Sequence, residues 1–176
     1  MVLNHGTGVQ IPVPVPPLLS HYIMARVVRC LRSTSFRTFV FYPVIIVAWE
    51  WLANGGRLHV RPWYLPLLVW GYLQYRLIGN YRIRYGGGGP EMDTPPERLV
   101  TTGPFAWSRN PMYLGHLVFL LGLTLALHSW LGALITAATA VWFQSRVRRD
   151  ERRLQKHFGQ PYREYSARVR RWISGL

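Results

Sequence analysis

Apolar residues along the chain fall in blocks that are nearly free of charge. From Thr38 to Ala53 the sequence reads TFVFYPVIIVAWEWLA, with Glu50 as its one charged group, and from Trp63 to Gly79 it reads WYLPLLVWGYLQYRLIG, with Arg76 in the last turn. From Tyr113 to Phe143 there is no Lys, Arg, Asp or Glu. Runs of this kind predict helices that cross a bilayer. The third run has 31 residues; as one helix it would be roughly 46 Å long, against a hydrocarbon core of about 30 Å. It is therefore expected to fold back at the polar break His128-Ser129. The pattern predicts an all-α, polytopic membrane protein of one domain over 1–176, with four spans at 38–53, 63–79, 113–127 and 130–143. The last two form a short hairpin, and the fourth continues as a cytoplasmic helix to about 158, where Gly159 and Pro161 end it ahead of a tail over 159–176.

Charge supports this count. The chain carries 21 basic and 7 acidic side chains. With four crossings, nineteen of the basic residues fall on one side and two on the other. Cytoplasmic segments collect Lys and Arg, so both termini are expected in the cytoplasm, and the expected setting is a bacterial inner (cytoplasmic) membrane. Arg beside a bilayer is also drawn to anionic headgroups, which gives the excess charge a partner in membrane lipid and leaves nucleic-acid binding unneeded. Pro12, Pro14, Pro16 and Pro17 interrupt any early apolar helix, which argues against a cleavable signal peptide. Within the N-terminal extension over 1–37, the run LLSHYIMARVVRCL (18–31) reads as a basic amphipathic helix at the interface or as a plain extension. An apolar fraction of 49% excludes a disordered polybasic tail. The lone Cys30 leaves no internal disulfide, and no Cys/His cluster has zinc-ligand spacing, so no metal is expected.

Candidate chemistry begins in the loop over 80–111, which is longer than structureless connectors usually are. Gly86 to Gly89 lack a preceding strand and read as a hinge rather than a phosphate cradle. More specific is Leu99-Val100-Thr101-Thr102-Gly103-Pro104-Phe105, where Gly103 permits a turn and Pro104 fixes the next φ, exposing backbone groups that can grip an adenine or a carboxylate. Pro111 opens the third span without loss of a hydrogen bond. Arg109 and Asn110 precede it, either as ligand contacts or as a helix cap with a snorkelling Arg. On the fourth helix Arg146 and Asp150 share one face about a turn beyond the membrane boundary. Asp150-Glu151 is either a charge-offsetting pair on a solvated helix or an acidic site where a cytosolic cofactor meets a membrane-dissolved substrate.

Taken together, Leu99 to Phe105, Arg109-Asn-Pro-Met-Tyr113-Leu-Gly115, Asp150-Glu151 and Phe158-Gly159 followed by Tyr162 and Tyr165 resemble the integral-membrane methyltransferases typified by isoprenylcysteine carboxyl methyltransferase and phosphatidylethanolamine N-methyltransferase. The resemblance covers about 97–172. It implies S-adenosylmethionine as cofactor, bound by Leu99, Val100, Gly103, Phe105, Arg109, Asn110, Pro111, Met112 and Tyr113, with Asp150 or Glu151 on the cofactor's ammonium. It implies catalytic parts for Arg146, near the acceptor, and for Glu151. Asn110 stands where the family motif has His, and Asp150 where it has Glu.

The resemblance implies methyl transfer to a small lipophilic or membrane-dissolved acceptor, a carboxylate, amine or thiol, at the cytoplasmic face. Displacement at a sulfonium releases a neutral thioether and needs neither metal nor covalent nucleophile. A carboxylate needs only orientation, for which an Arg is suited, whereas an amine or thiol must first lose a proton. Two other readings are an NADPH-dependent membrane reductase of related helical core and a non-catalytic membrane scaffold.

Overall fold

The computed structural model describes residues 33–88 and 96–173. The expected interfacial helix over 18–31 and the last glycine of the 86–89 run lie outside the described residues. Among those described there are five helices and no strand: α1 (Thr34–Ala53), α2 (Leu65–Gly86), α3 (Pro111–Leu127), α4 (Trp130–Phe158) and α5 (Gln160–Arg168). Short 3-10 turns at Pro62–Tyr64 and Gly103–Ala106 lead towards α2 and α3.

Local chemistry explains the ends. Prolines sit in the first turns of α2, α3 and α5, where a missing N–H is harmless. His128 closes α3 in the left-handed region at φ 51°, and the Ser129 hydroxyl caps α4 by accepting from the Gly132 amide at 3.0 Å. These two residues turn the chain, and α3 and α4 run back as an antiparallel hairpin. The 29 residues of α4 extend about 43 Å, well past its partner.

The closest helix contact is between α2 and α3, and glycine makes it possible. A Cβ on Gly71 would run into the Phe119 backbone and lie 2.7 Å from the Gly115 carbonyl oxygen. One on Gly115 would lie 2.9 Å from the Gly71 oxygen and the Tyr75 nitrogen, and one on Gly122 2.9 Å from the Leu68 nitrogen. Small residues allow backbones this near, as in helix pairs held by close packing in lipid. α1 runs alongside α3, burying Ile46 against Leu123 and Leu127. Its Arg37–Phe41 stretch is π-helical, and from it Phe39 stacks on His116 at 4.7 Å, with Tyr75 and Phe143 around the same imidazole.

Outward, the bundle is apolar. Val44, Leu52, Val69, Trp70, Leu134 and Val141 are all exposed. One helix, Thr34–Ala53, is long and apolar enough to cross a membrane, and Pro111–Leu127 is a shorter apolar helix.

Candidate active site

A cavity of about 610 Å³ opens at the end of the hairpin away from the His128-Ser129 turn. Its walls come from several segments. The loop after α2 supplies Leu99, Val100 and Phe105, the start of α3 supplies Arg109 to Tyr113, and the outward half of α4 supplies Asp150, Arg153, Leu154 and His157. Tyr162 and Tyr165 of α5 close the remaining side. Gly159, at φ 61°, makes the turn that folds α5 back beside α4. The Tyr165 hydroxyl then donates to the Phe105 carbonyl at 2.7 Å, tying α5 to the loop. Burial, with the nearby Glu151 charge, pushes the Tyr162 phenol up to about 12, and burial likewise raises Tyr165. Both phenols therefore stay protonated at neutral pH.

Of the residues singled out in the sequence, Leu99, Val100, Phe105, Arg109, Asn110, Pro111, Met112, Tyr113 and Asp150 line this cavity. Gly103, Arg146 and Glu151 are not among the lining residues. Gly103 supports the loop instead: its φ is 58° and a Cβ there would lie 2.7 Å from the Tyr81 ring. Arg146 sits behind Tyr113, its Nε donating to the Tyr113 hydroxyl at 3.1 Å and lying 3.8 Å from Asp150. The same hydroxyl donates to Asp150 Oδ2 at 2.7 Å.

The two acids of the pair face different surroundings, because neighbouring helix positions are about 100° apart around the axis. Asp150 borders the cavity. Glu151 is buried, its relative exposure only 9%. Arg171 donates to both of its oxygens, through Nε at 3.1 and 3.0 Å and through Nη2 at 2.8 Å, while Arg109 Nη1 lies 3.4 Å from Oε1. Hydrogen bonding to this carboxylate raises the Arg171 pKa further.

The family profile for phospholipid methyltransferases matches residues 68–161, which include the end walls of this cavity on α3 and α4. Protein-S-isoprenylcysteine O-methyltransferase B of Arabidopsis thaliana is 36% identical over 155 residues, 85% of this chain and 71% of that protein. The chain belongs to this family of methyltransferases. Protein-S-isoprenylcysteine O-methyltransferases of Saccharomyces cerevisiae and Homo sapiens are each 37% identical over 73 residues, 40% of this chain and 30% and 25% of theirs. No solved structure matches the chain.

As a methyltransferase the chain requires a methyl donor, and its cavity holds residues that sequence reasoning passed over. Arg153, Leu154 and His157 lie three, four and seven positions after Asp150, so helical periodicity alone places them on the same face. Arg82, near the end of α2, also lines the wall. Its position four residues short of the helix end gives no sequence signal of a site.

Proposed function

We propose that this methyltransferase moves a methyl group from S-adenosylmethionine to a lipophilic acceptor that reaches the cavity from the bilayer at the cytoplasmic face. The observation that carries the reading is the cavity itself, largely apolar, with Asp150 as the one acid among its described lining residues. The residues suit the cofactor part by part. Leu99, Val100, Phe105 and Leu154 offer apolar contact to an adenosine, Asp150 a counter-charge to the ammonium, and Arg109 a buried Nε without a hydrogen-bond partner, fit to donate to the cofactor's carboxylate.

S-adenosylmethionine supplies a methyl group on a sulfonium, so transfer forms one bond from the acceptor atom to carbon as the S–C bond breaks, leaving a neutral thioether. An oxygen acceptor is supported by the relatives, which are named protein-S-isoprenylcysteine O-methyltransferases. An anionic oxygen is supported by the guanidiniums of Arg37 and Arg146, which lie 4.6 and 5.5 Å from the Trp142 ring centroid beside Tyr113. A carboxylate is already ionised and needs no base. Arg146 acts on it from behind, through the Tyr113 hydroxyl that holds Arg146 and Asp150 in register, and exclusion of water with correct alignment supplies about 7 to 11 kcal/mol of the barrier reduction. A cationic amine would meet like charge at this place.

Calorimetry in detergent with chelator present tests the reading. Binding of S-adenosylmethionine is expected with a micromolar dissociation constant, about 8 kcal/mol. Absence of heat up to millimolar cofactor overturns it, and binding of NADPH instead favours the reductase.

The proposed setting is a four-span arrangement in which α1, α2 and the hairpin cross the bilayer and both termini are cytoplasmic. Support comes from the apolar outer surface and from Trp63 and Trp130, 86% and 88% exposed at the end of the bundle away from the cavity, as interfacial anchors are. Cysteine-accessibility labelling of the C-terminal tail is expected to succeed only from the cytoplasmic side. Labelling from outside intact cells alone reverses the orientation.

A further inference from the structure

Residues 169–173, beyond the stretch that the family profile matches, run back across the mouth of the hairpin and touch the loop at successive positions. The Arg109 amide donates to the Arg170 carbonyl at 3.1 Å. The Arg171 carbonyl accepts from Asn110 Nδ2 at 3.1 Å and from the Ser108 hydroxyl at 3.5 Å, and that hydroxyl accepts from the Asn110 amide at 3.1 Å. Trp172 Nε1 donates to Gln144 at 2.9 Å, and its indole packs on the Tyr113, Phe143 and Val147 cluster. At the centre is Glu151, held by Arg171, with Arg109 and Asn110 Nδ2 at 3.4 and 3.5 Å from the same oxygen.

We propose that this C-terminal strap is a clamp on the cofactor cavity and that Arg171 is a positioning residue, acting through Glu151 to fix Arg109 and Asn110 at the cavity wall. The physical argument is one of satisfaction. Glu151 is buried, and a buried carboxylate is tolerated only when its oxygens are paired and hydrogen-bonded. Arg171 meets it with a fork of donors, a geometry that Lys cannot reproduce. With both oxygens engaged by Arg171, one is left at the distance where Arg109 and Asn110 converge. The loop residues that line the cavity are thus held from behind, through Glu151, by a side chain 61 positions beyond Asn110.

This gives the second acid of the pair a different part from the first: Asp150 faces the cavity, and Glu151 anchors the wall. The inference rests on the cofactor reading above for its consequence, though not for the clamp itself.

The test uses full-length protein in detergent, with two readouts. In the ligand-free protein, Arg171→Ala is expected to speed hydrogen exchange at the Arg109 and Asn110 amides at least ten-fold while leaving the α2–α3 interface unchanged. In the same variant the dissociation constant for S-adenosylmethionine is expected to rise about ten-fold or more, with Arg171→Lys intermediate. Glu151→Gln should loosen the same two amides, and the double variant should fall short of the sum of the singles, because both remove the Arg171–Glu151 contact. Unchanged exchange at Arg109 and Asn110 overturns the clamp, as does exchange that accelerates evenly through the chain, which would mark a merely structural role. Additive loss in the double variant also overturns it. If the wild-type protein binds no S-adenosylmethionine, the cofactor reading fails, and the exchange experiment still decides the clamp.

Discussion

Asp150→Asn is expected to weaken S-adenosylmethionine binding by ten-fold to more than a hundred-fold while leaving the protein folded. The carboxylate lies on the cavity wall, its side chain 22% exposed, and is held by the Tyr113 hydroxyl at 2.7 Å and by Arg146 and Arg153 at 3.8 and 4.0 Å. In that setting a charge-assisted hydrogen bond to the cofactor's ammonium is worth about 1.5 to 3 kcal/mol, which gives the stated range. The amide keeps the shape and removes the charge. Arg146→Ala separates donor from acceptor: it sits behind Tyr113, so turnover should fall while cofactor affinity changes little. A solvated charged helix would show about 0 to 1 kcal/mol at both positions. Calorimetry and turnover on the two variants decide it. Wild-type affinity in Asp150→Asn removes the site, and weakened cofactor binding in Arg146→Ala alone reverses the two roles.

The largest effect on stability is expected at Gly71. Its added methyl would meet backbone of α3 on two sides, and backbone cannot turn aside as a side-chain tip can. Gly71→Ala should therefore cost about 3 kcal/mol, the upper end for overpacking, and appear as a lowered melting temperature or loss of monodisperse protein in detergent. Gly79→Ala, on the same helix, is the matched control. Its methyl would touch only the Met112 Cε at 3.4 Å, and helix propensity favours Ala over Gly by roughly 0.5 to 1 kcal/mol. Equal melting temperatures for Gly71→Ala and the wild type would show that α2 and α3 do not approach as closely as described.

Both results depend on features that differ in how far the chain announces them. The helices follow from local rules. Apolar runs need burial or lipid, prolines start helices, and His128-Ser129 supplies a left-handed stop followed by a capping hydroxyl. The loop from Leu99 to Phe105 and the run from Arg109 to Tyr113 stood out because Gly103, Pro104 and Pro111 restrict the backbone there. Leu154 and His157 were readable too, by counting along α4 from Asp150. The glycines at 71 and 122 gave no such sign, and Gly115 stood out only as the end of a motif, since a glycine in an apolar helix has the same pattern whether it faces a partner or lipid.

What the sequence determined by itself was therefore the helical class, the hairpin and the residues with chemistry to offer. Which way each acid of the Asp150-Glu151 pair faces was decided by tertiary structure alone. Two adjacent helix positions are fixed relative to each other by the backbone, but the rotation of the helix as a whole depends on which side chains pack, here Phe143 and Val147 against Tyr113. The strap over 169–173 was invisible for a related reason: it has no periodicity, and its contacts join residues about sixty positions apart, such as the Asn110 side chain and the Arg171 carbonyl. Pairings of that range arise only once the hairpin has brought both segments to one end of the bundle.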